Sequence, residues 1–197
     1  MILASPVNQL QLKPFRYSVI PRALESGVGS ALLDWLEKDA PWSLRIAEFY
    51  EQHEFTVSGE ALPTHLHEVF SAEALGALRE HVANLFDVQL GERIDFTAHR
   101  LTKGQRIRIH NDYIPGRESH RLLIQLNRGW SDENGGALML FGGGGPTDVH
   151  QILRPVHNSG IVFEISPNSL HAVTPIHRGE RFTLVLSFFR SDSVAVL

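Results

Sequence analysis

Cysteine is missing from this 197-residue chain. That absence removes disulfides, thiolate metal sites and cysteine nucleophiles together. Any metal must be held by His, Asp, Glu or water, and the composition fits a reducing compartment. No apolar run approaches the ~20 residues of a membrane span. Met1-Ile2-Leu3-Ala4-Ser5-Pro6 is too short for a signal peptide and lacks its charged start. Internal repeats and low-complexity linkers are missing as well. Net charge is −4 and the pI near 6.2, so the chain lacks the overall basic surface of a general nucleic-acid binder. Only Arg100, Lys103, Arg106 and Arg108 form a local basic cluster. These absences predict a cytoplasmic protein with no membrane and no nucleic-acid partner.

What is present is enough for a core: 43% of residues are hydrophobic and 20% charged, which fits one domain spanning 1–197. The pattern predicts a mostly helical support region over 1–94. Ser30 to Leu36 carries apolar positions at helical spacing, and Ser71 is placed to cap a helix from Ala72 to Phe86, where Leu75, Leu78, Val82 and Leu85 recur. From Asp95 the texture changes. Short runs (Phe96 to Leu101, Gln105 to His110, Leu122 to Leu126, Ala137 to Phe141, Gln151 to Leu153, Gly160 to Ile165, Phe182 to Phe189) alternate with Gly, Pro, Asn and Asp. That order predicts a mainly β fold, a double-stranded β-helix (jelly roll) over 95–190 with the helices behind it.

Eleven histidines make chance metal patterns easy. His65-Leu66-His67 with Glu68 finds no third ligand at useful spacing. His53, His81, His99, His120, His150, His157 and His177 read as surface or hydrogen-bonded core. His110-Asn111-Asp112 differs, because it closes the alternating run Arg106 to His110. On an extended backbone residues i and i+2 share a face, so His110 and Asp112 reach one ion while Ile107 and Ile109 turn away toward the helices. His171 closes a second strand and turn. Two imidazoles and one carboxylate form the open three-point set of non-haem Fe(II) oxygenases. In Arg181-Phe182-Thr183-Leu184-Val185-Leu186-Ser187, Arg181 and Thr183 share the face opposite Phe182 and Leu184. If the latter pack on the helices, Arg181 points inward and needs an anion: either a bound carboxylate, with Thr183 adding a hydroxyl, or an ordinary bridge to Glu164 or Glu180.

Residues 95–190 resemble the catalytic core of the Fe(II)- and 2-oxoglutarate-dependent dioxygenases, in the prolyl-4-hydroxylase-like branch. The resemblance is carried by Gly104 before His110-Asn111-Asp112, by Leu122 to Asn127, by Trp130 with Gly135-Gly136-Ala137-Leu138, and by Gly160 to Phe163. Its last block runs from His171 to Ile176 and through Gly179-Glu180-Arg181-Phe182-Thr183-Leu184. It implies Fe(II) on His110, Asp112 and His171. It also implies 2-oxoglutarate on Arg181 with Thr183, and Gln125 as a further cofactor contact. Where many members hold a tyrosine, this chain has Leu101, so another group takes that role or the pocket is reshaped.

The resemblance thus predicts a hydroxylase that uses O2, with ascorbate as a reductant, on an amino-acid side chain. The side chain is free or within a peptide or carrier-bound intermediate. The alternatives are a non-catalytic jelly-roll metal- or carboxylate-binding or sensor protein, and a cupin-type metalloenzyme. Tyr113 to Glu118 reads equally as a lid over the iron or as an exposed connection. Arg106 and Arg108 fit either an anionic substrate or solvent. Gly142 to Gly145 reads as a flexible turn.

Overall fold

The computed structural model describes residues 3–4, 9–59, 61–143 and 145–191. Most of the N-terminal Met1–Pro6 stretch and Gly144 of the glycine run lie outside the described residues. Among those residues the chain forms β1 (Tyr17–Ile20), α1 (Ser26–Lys38), β2 (Ser43–Ile46), β3 (Glu51–Thr56), α2 (Ala72–Phe86), β4 (Leu90–Leu101), β5 (Ile107–His110), β6 (His120–Gln125), β7 (Leu138–Phe141), β8 (Val149–Leu153), β9 (Ser159–Glu164), β10 (His171–Val173) and β11 (Arg181–Arg190). The strands make two antiparallel sheets. The larger has the order β1-β9-β6-β11-β4-β3-β2, the smaller β5-β10-β7-β8.

Side-chain alternation along β11 explains the layering. Phe182, Leu184, Leu186 and Phe188 are buried in one cluster with Leu32, Leu33 and Leu36 of α1 and Leu78, Val82 and Phe86 of α2. Val185, on the other face, joins a second cluster with Leu101, Leu123, Leu138, Leu140 and Val173. Helices therefore cover one face of the large sheet and the small sheet covers the other. The helix-ward face is mostly hydrocarbon, with His120 buried against Phe86, whereas the inter-sheet face is interrupted by Arg121, Gln125, Arg181 and Thr183.

The region 1–94 is not mostly helical. Two helices of 13 and 15 residues share it with β1, β2, β3 and the start of β4. The strands went unread because their hydrophobic signal is small. β2 is exposed at every position, and β3 is largely polar, with Gln52 and Glu54 turned to the inter-sheet side and Phe55 to the helices. The second helix runs as its sequence predicts: the Ser71 side chain accepts from Ala74 N at 3.3 Å, and the helix ends on Asp87 at φ 53°.

Candidate metal centre

His110 ends β5 and His171 begins β10, and the two are directly paired across that ladder. The register slips between His171↔His110 and Val173↔Ile107: two residues of β10 span three of β5. Such a bulge reverses the alternation. Ile107 consequently lines the cavity alongside His110, while Arg106 and Arg108 face solvent and Ile109 is 36% exposed. The expected turning of Ile107 toward the helices is thus wrong, and the strand reads as extended only up to the bulge.

Asp112 joins the histidines by a turn rather than by strand extension. Its φ is 57°, in the left-handed region that Asp tolerates better than most residues. The intervening Asn111 secures that turn. Its Nδ2 donates to Pro167 O at 3.1 Å, its Oδ1 accepts from Tyr113 N at 3.0 Å, and its carbonyl accepts from Ser169 Oγ at 2.9 Å. The segment before His171 and the segment after His110 are thereby tied together.

His110 Nε2 lies 3.3 Å from Asp112 Oδ1, and His171 Nε2 lies 3.1 Å from Asp112 Oδ2. Adjacent ligands around one ion with bonds of about 2.1 Å stand about 3 Å apart, so the three fit a single centre. They form the only such group among the described residues. Each histidine donates its Nδ1–H to a backbone carbonyl, His110 to Arg108 O at 2.8 Å and His171 to Ser169 O at 2.7 Å. A carbonyl can only accept, so each Nε2 keeps its lone pair for a metal. Phe49 stacks on the His110 ring (4.5 Å, 25°), and Phe163 meets the His171 ring edge-on (5.1 Å, 65°).

Burial alone would raise the Asp112 carboxyl. Arg121, with the His110 and His171 rings beside it, holds it far below the usual carboxylate range. Burial lowers His171, and Asp112 offsets part of that. Both groups are in the state a metal requires.

The three ligands line a cavity of about 450 Å³ that also contains Arg181 and Thr183. Arg181 is 3% exposed. Neither alternative partner reaches it: Glu164 pairs with Arg16 and Arg190, and Glu180 with Arg100. Its Nε has no hydrogen-bond partner. Burial pushes it down to about 10, which leaves it charged at neutral pH. Gly136 allows this placement. At φ 68°, a Cβ there would stand 3.0 Å from Arg181 Cδ and 2.7 Å from Ile176 Cδ1. Thr183 donates to Gln125 Oε1 at 3.0 Å. Gln125 itself lines a separate, smaller cavity beside Leu138 and Ile161.

Sequence reasoning passed over several cavity residues. His99 is half-buried in its wall, with Nδ1 3.2 Å from Gln52 Nε2 and Nε2 3.2 Å from Thr97 Oγ1. Burial, with Arg121 and Arg181 nearby, pushes it down to about 3. Its position two residues before Leu101 in an alternating run was the available signal. Phe49, Gln52 and Arg121 carried none. Of the rival pair, His67 meets Leu62 O at 2.8 Å, and His65 is exposed.

Residues 96–189, just under half of the chain, match the model of the 2OG-Fe(II) oxygenase superfamily, and the chain is similar to prolyl hydroxylases. Prolyl 3-hydroxylase OGFOD1 from Xenopus laevis is 30% identical over 101 residues, 50% of this chain and 20% of that protein. The chain thus spans about a fifth of that relative's length. A Pseudomonas putida prolyl-4-hydroxylase superposes with TM-score 0.73 at 21% identity, covering 88% of this chain and 92% of that one. A Trichoplax adhaerens prolyl hydroxylase, in complex with a hypoxia inducible factor oxygen degradation domain peptide fragment, gives TM-score 0.75 at 14% identity, covering 90% and 84%. At these identities the likeness is one of fold. Iron and 2-oxoglutarate, which name the superfamily, fit the donor set and the unpaired arginine found here. Among the described residues no helix is long and apolar enough to cross a membrane.

Proposed function

We propose that the chain is an Fe(II)- and 2-oxoglutarate-dependent hydroxylase built on a double-stranded β-helix. In this reading it hydroxylates an unactivated C–H of an amino-acid side chain, with a prolyl residue of a peptide as first candidate. The observation that carries the reading is Arg181: a buried guanidinium without a counter-ion among the described residues, in the same cavity as the His110, Asp112 and His171 donors. A buried charge left alone is costly, and a dicarboxylate reaching from the metal would supply its partner.

In this mechanism His110, Asp112 and His171 would hold the ion, a donor set that suits ferrous iron. Ferrous iron held there with 2-oxoglutarate would supply O2 activation, with O2 as oxidant: one oxygen atom goes to the hydroxylated carbon and the other to succinate as 2-oxoglutarate loses CO2. The backbone carbonyls of Arg108 and Ser169 keep both imidazoles in the metal-binding tautomer. Arg181 receives the far carboxylate of 2-oxoglutarate through paired N–H groups. Thr183 sits beside it, held by Gln125. Leu123, Leu138, Val173 and Val185 give that end of the cavity apolar walls that exclude water. His99 stays neutral and adds no competing cation. The other end opens between Phe49, Ile114, Arg117 and Glu118, which favours the Tyr113 to Glu118 connection as a cover for substrate. The lack of cysteine is consistent with a cytoplasmic setting.

The test is 2-oxoglutarate turnover with iron and ascorbate, read as succinate, on prolyl peptides and free amino acids. Succinate that depends on substrate and iron is the expected result. Iron and 2-oxoglutarate binding without succinate for any candidate would favour a binding or sensor protein. Tight zinc or manganese after anaerobic purification, with no iron affinity, would favour a cupin-type enzyme.

A further inference from the structure

Two arginines line the cavity, Arg181 buried and Arg121 half-buried, and they differ in their surroundings. Arg181 has no anion among the described residues. Arg121, on β6 directly opposite Ser187 of β11, has two: one terminal nitrogen donates to Asp112 Oδ2 and the other to Glu118 Oε1. Its terminal nitrogens are occupied, so it is not a receptor for a second carboxylate. It nonetheless places a permanent cation against a residue that would hold a divalent cation, where Coulomb repulsion opposes metal binding. Some gain must offset that cost.

The backbone of Asp112 indicates the gain. Asp112 lies beyond the last residue of β5, in a left-handed turn, and the ladder does not fix its side chain. Asn111 anchors the main chain of the turn, but neither oxygen of the carboxylate is held by it. Arg121, projecting from the interior of the large sheet, is the rigid support for that carboxylate. Glu118 supports Arg121 in turn and cancels its charge. Asp112, Glu118 and Arg121 together carry one net negative charge. Taking the metal-centre reading as given, we infer that Arg121 is the positioning residue of the aspartate ligand. Its grip on Oδ2 fixes the carboxylate against the two imidazoles, with Oδ1 3.3 Å from His110 Nε2 and Oδ2 3.1 Å from His171 Nε2.

Charge and position predict opposite signs, which makes the inference testable without turnover. Mn(II) is titrated into metal-free wild type, Arg121→Met and Arg121→Lys, with free Mn(II) read by electron paramagnetic resonance. Circular dichroism confirms that each variant is folded. If Arg121 positions the ligand, Arg121→Met weakens Mn(II) binding by roughly 10- to 100-fold, the usual effect of losing a partner that orients a metal ligand. Arg121→Lys keeps the charge, loses the fork geometry, and gives a smaller loss in the same direction. The visible spectrum of the Co(II)-loaded Lys variant shifts as the carboxylate changes its mode of binding. Binding as tight as or tighter than wild type in Arg121→Met overturns the inference, because repulsion then outweighs orientation. Should the Met variant fail to fold, Arg121→Lys decides: wild-type affinity with an unshifted Co(II) spectrum overturns it. No Mn(II) binding by wild type would overturn the metal-centre reading and this inference with it, whereas unchanged variants overturn this inference alone.

Discussion

Arg181 lies directly across the β11–β4 ladder from Leu101, so its stem is flanked by an aliphatic side chain where a bridging carboxylate might have stood. This isolation has an energetic signature. Arg181→Met removes an uncompensated buried charge and should stabilise the ligand-free protein by about 1–2 kcal/mol, or about 2–8 °C in Tm for a chain of this size. The same substitution should abolish protection by 2-oxoglutarate, which for metal-loaded wild type at a hundredfold excess over Kd is about 2.7 kcal/mol. Differential scanning fluorimetry with and without Mn(II) and 2-oxoglutarate reads both effects. A Met variant that is less stable when free, yet still protected by 2-oxoglutarate, would show that the anion binds elsewhere.

Asp112→Ala should remove the metal without unfolding the chain. The left-handed turn is held by Asn111 through Pro167 and Ser169, and those contacts survive the substitution. Two imidazoles then remain, and Arg121 keeps only Glu118. Iron content by elemental analysis should fall to background, and succinate formation with it, while the circular dichroism spectrum is unchanged. Retention of stoichiometric iron would mean that the metal sits somewhere other than between His110 and His171.

Ser71→Ala tests the local reading of α2. The Ser71 hydroxyl accepts from Ala74 N, and losing such a cap costs about 1 kcal/mol, or about 2–4 °C in Tm. Since α2 packs Leu78, Val82 and Phe86 on the large sheet far from the metal, iron affinity should not change. A Tm within error of wild type would show that the neighbouring contacts fix the helix start.

These cases show what the sequence could carry. α2 was legible because its cap and its period act within a few residues. The strands from Phe96 onward were legible because one or both faces are buried. β2 and β3 were not: most of their side chains face the cavity or solvent, so their strand character comes from pairing β2 with β3 and β3 with β4. The donors His110, Asp112, His171 and Arg181 were readable from residue type and spacing. The route by which they meet was not, since the bulge in β5 and the left-handed Asp112 leave no periodic trace. Arg121 and His99 were missed for a related reason. Their chemistry depends on distant neighbours, and only His99, in phase with Leu101 along β4, left a local trace.

The acid limb of the stability curve should report two histidines outside the ligand set. Burial pushes both His99 and His120 down to about 3 from 6.5. Near pH 5 the folded protein leaves both unprotonated, whereas the unfolded chain protonates them below about 6.5. The unfolded state therefore takes up more protons as pH falls, and stability is lost from about pH 6.5 toward pH 3. His120 is the cleaner probe, being fully buried against the Phe86 ring at 4.7 Å with its Nε2 unpartnered. His120→Leu keeps an apolar side chain there and removes one titrating group. The drop in unfolding free energy between pH 6.5 and 5 should shrink by about 2 kcal/mol relative to wild type. Urea unfolding at the two pH values measures it. An unchanged drop would mean that His120 takes up its proton inside the folded core, and that the acid sensitivity comes from other groups.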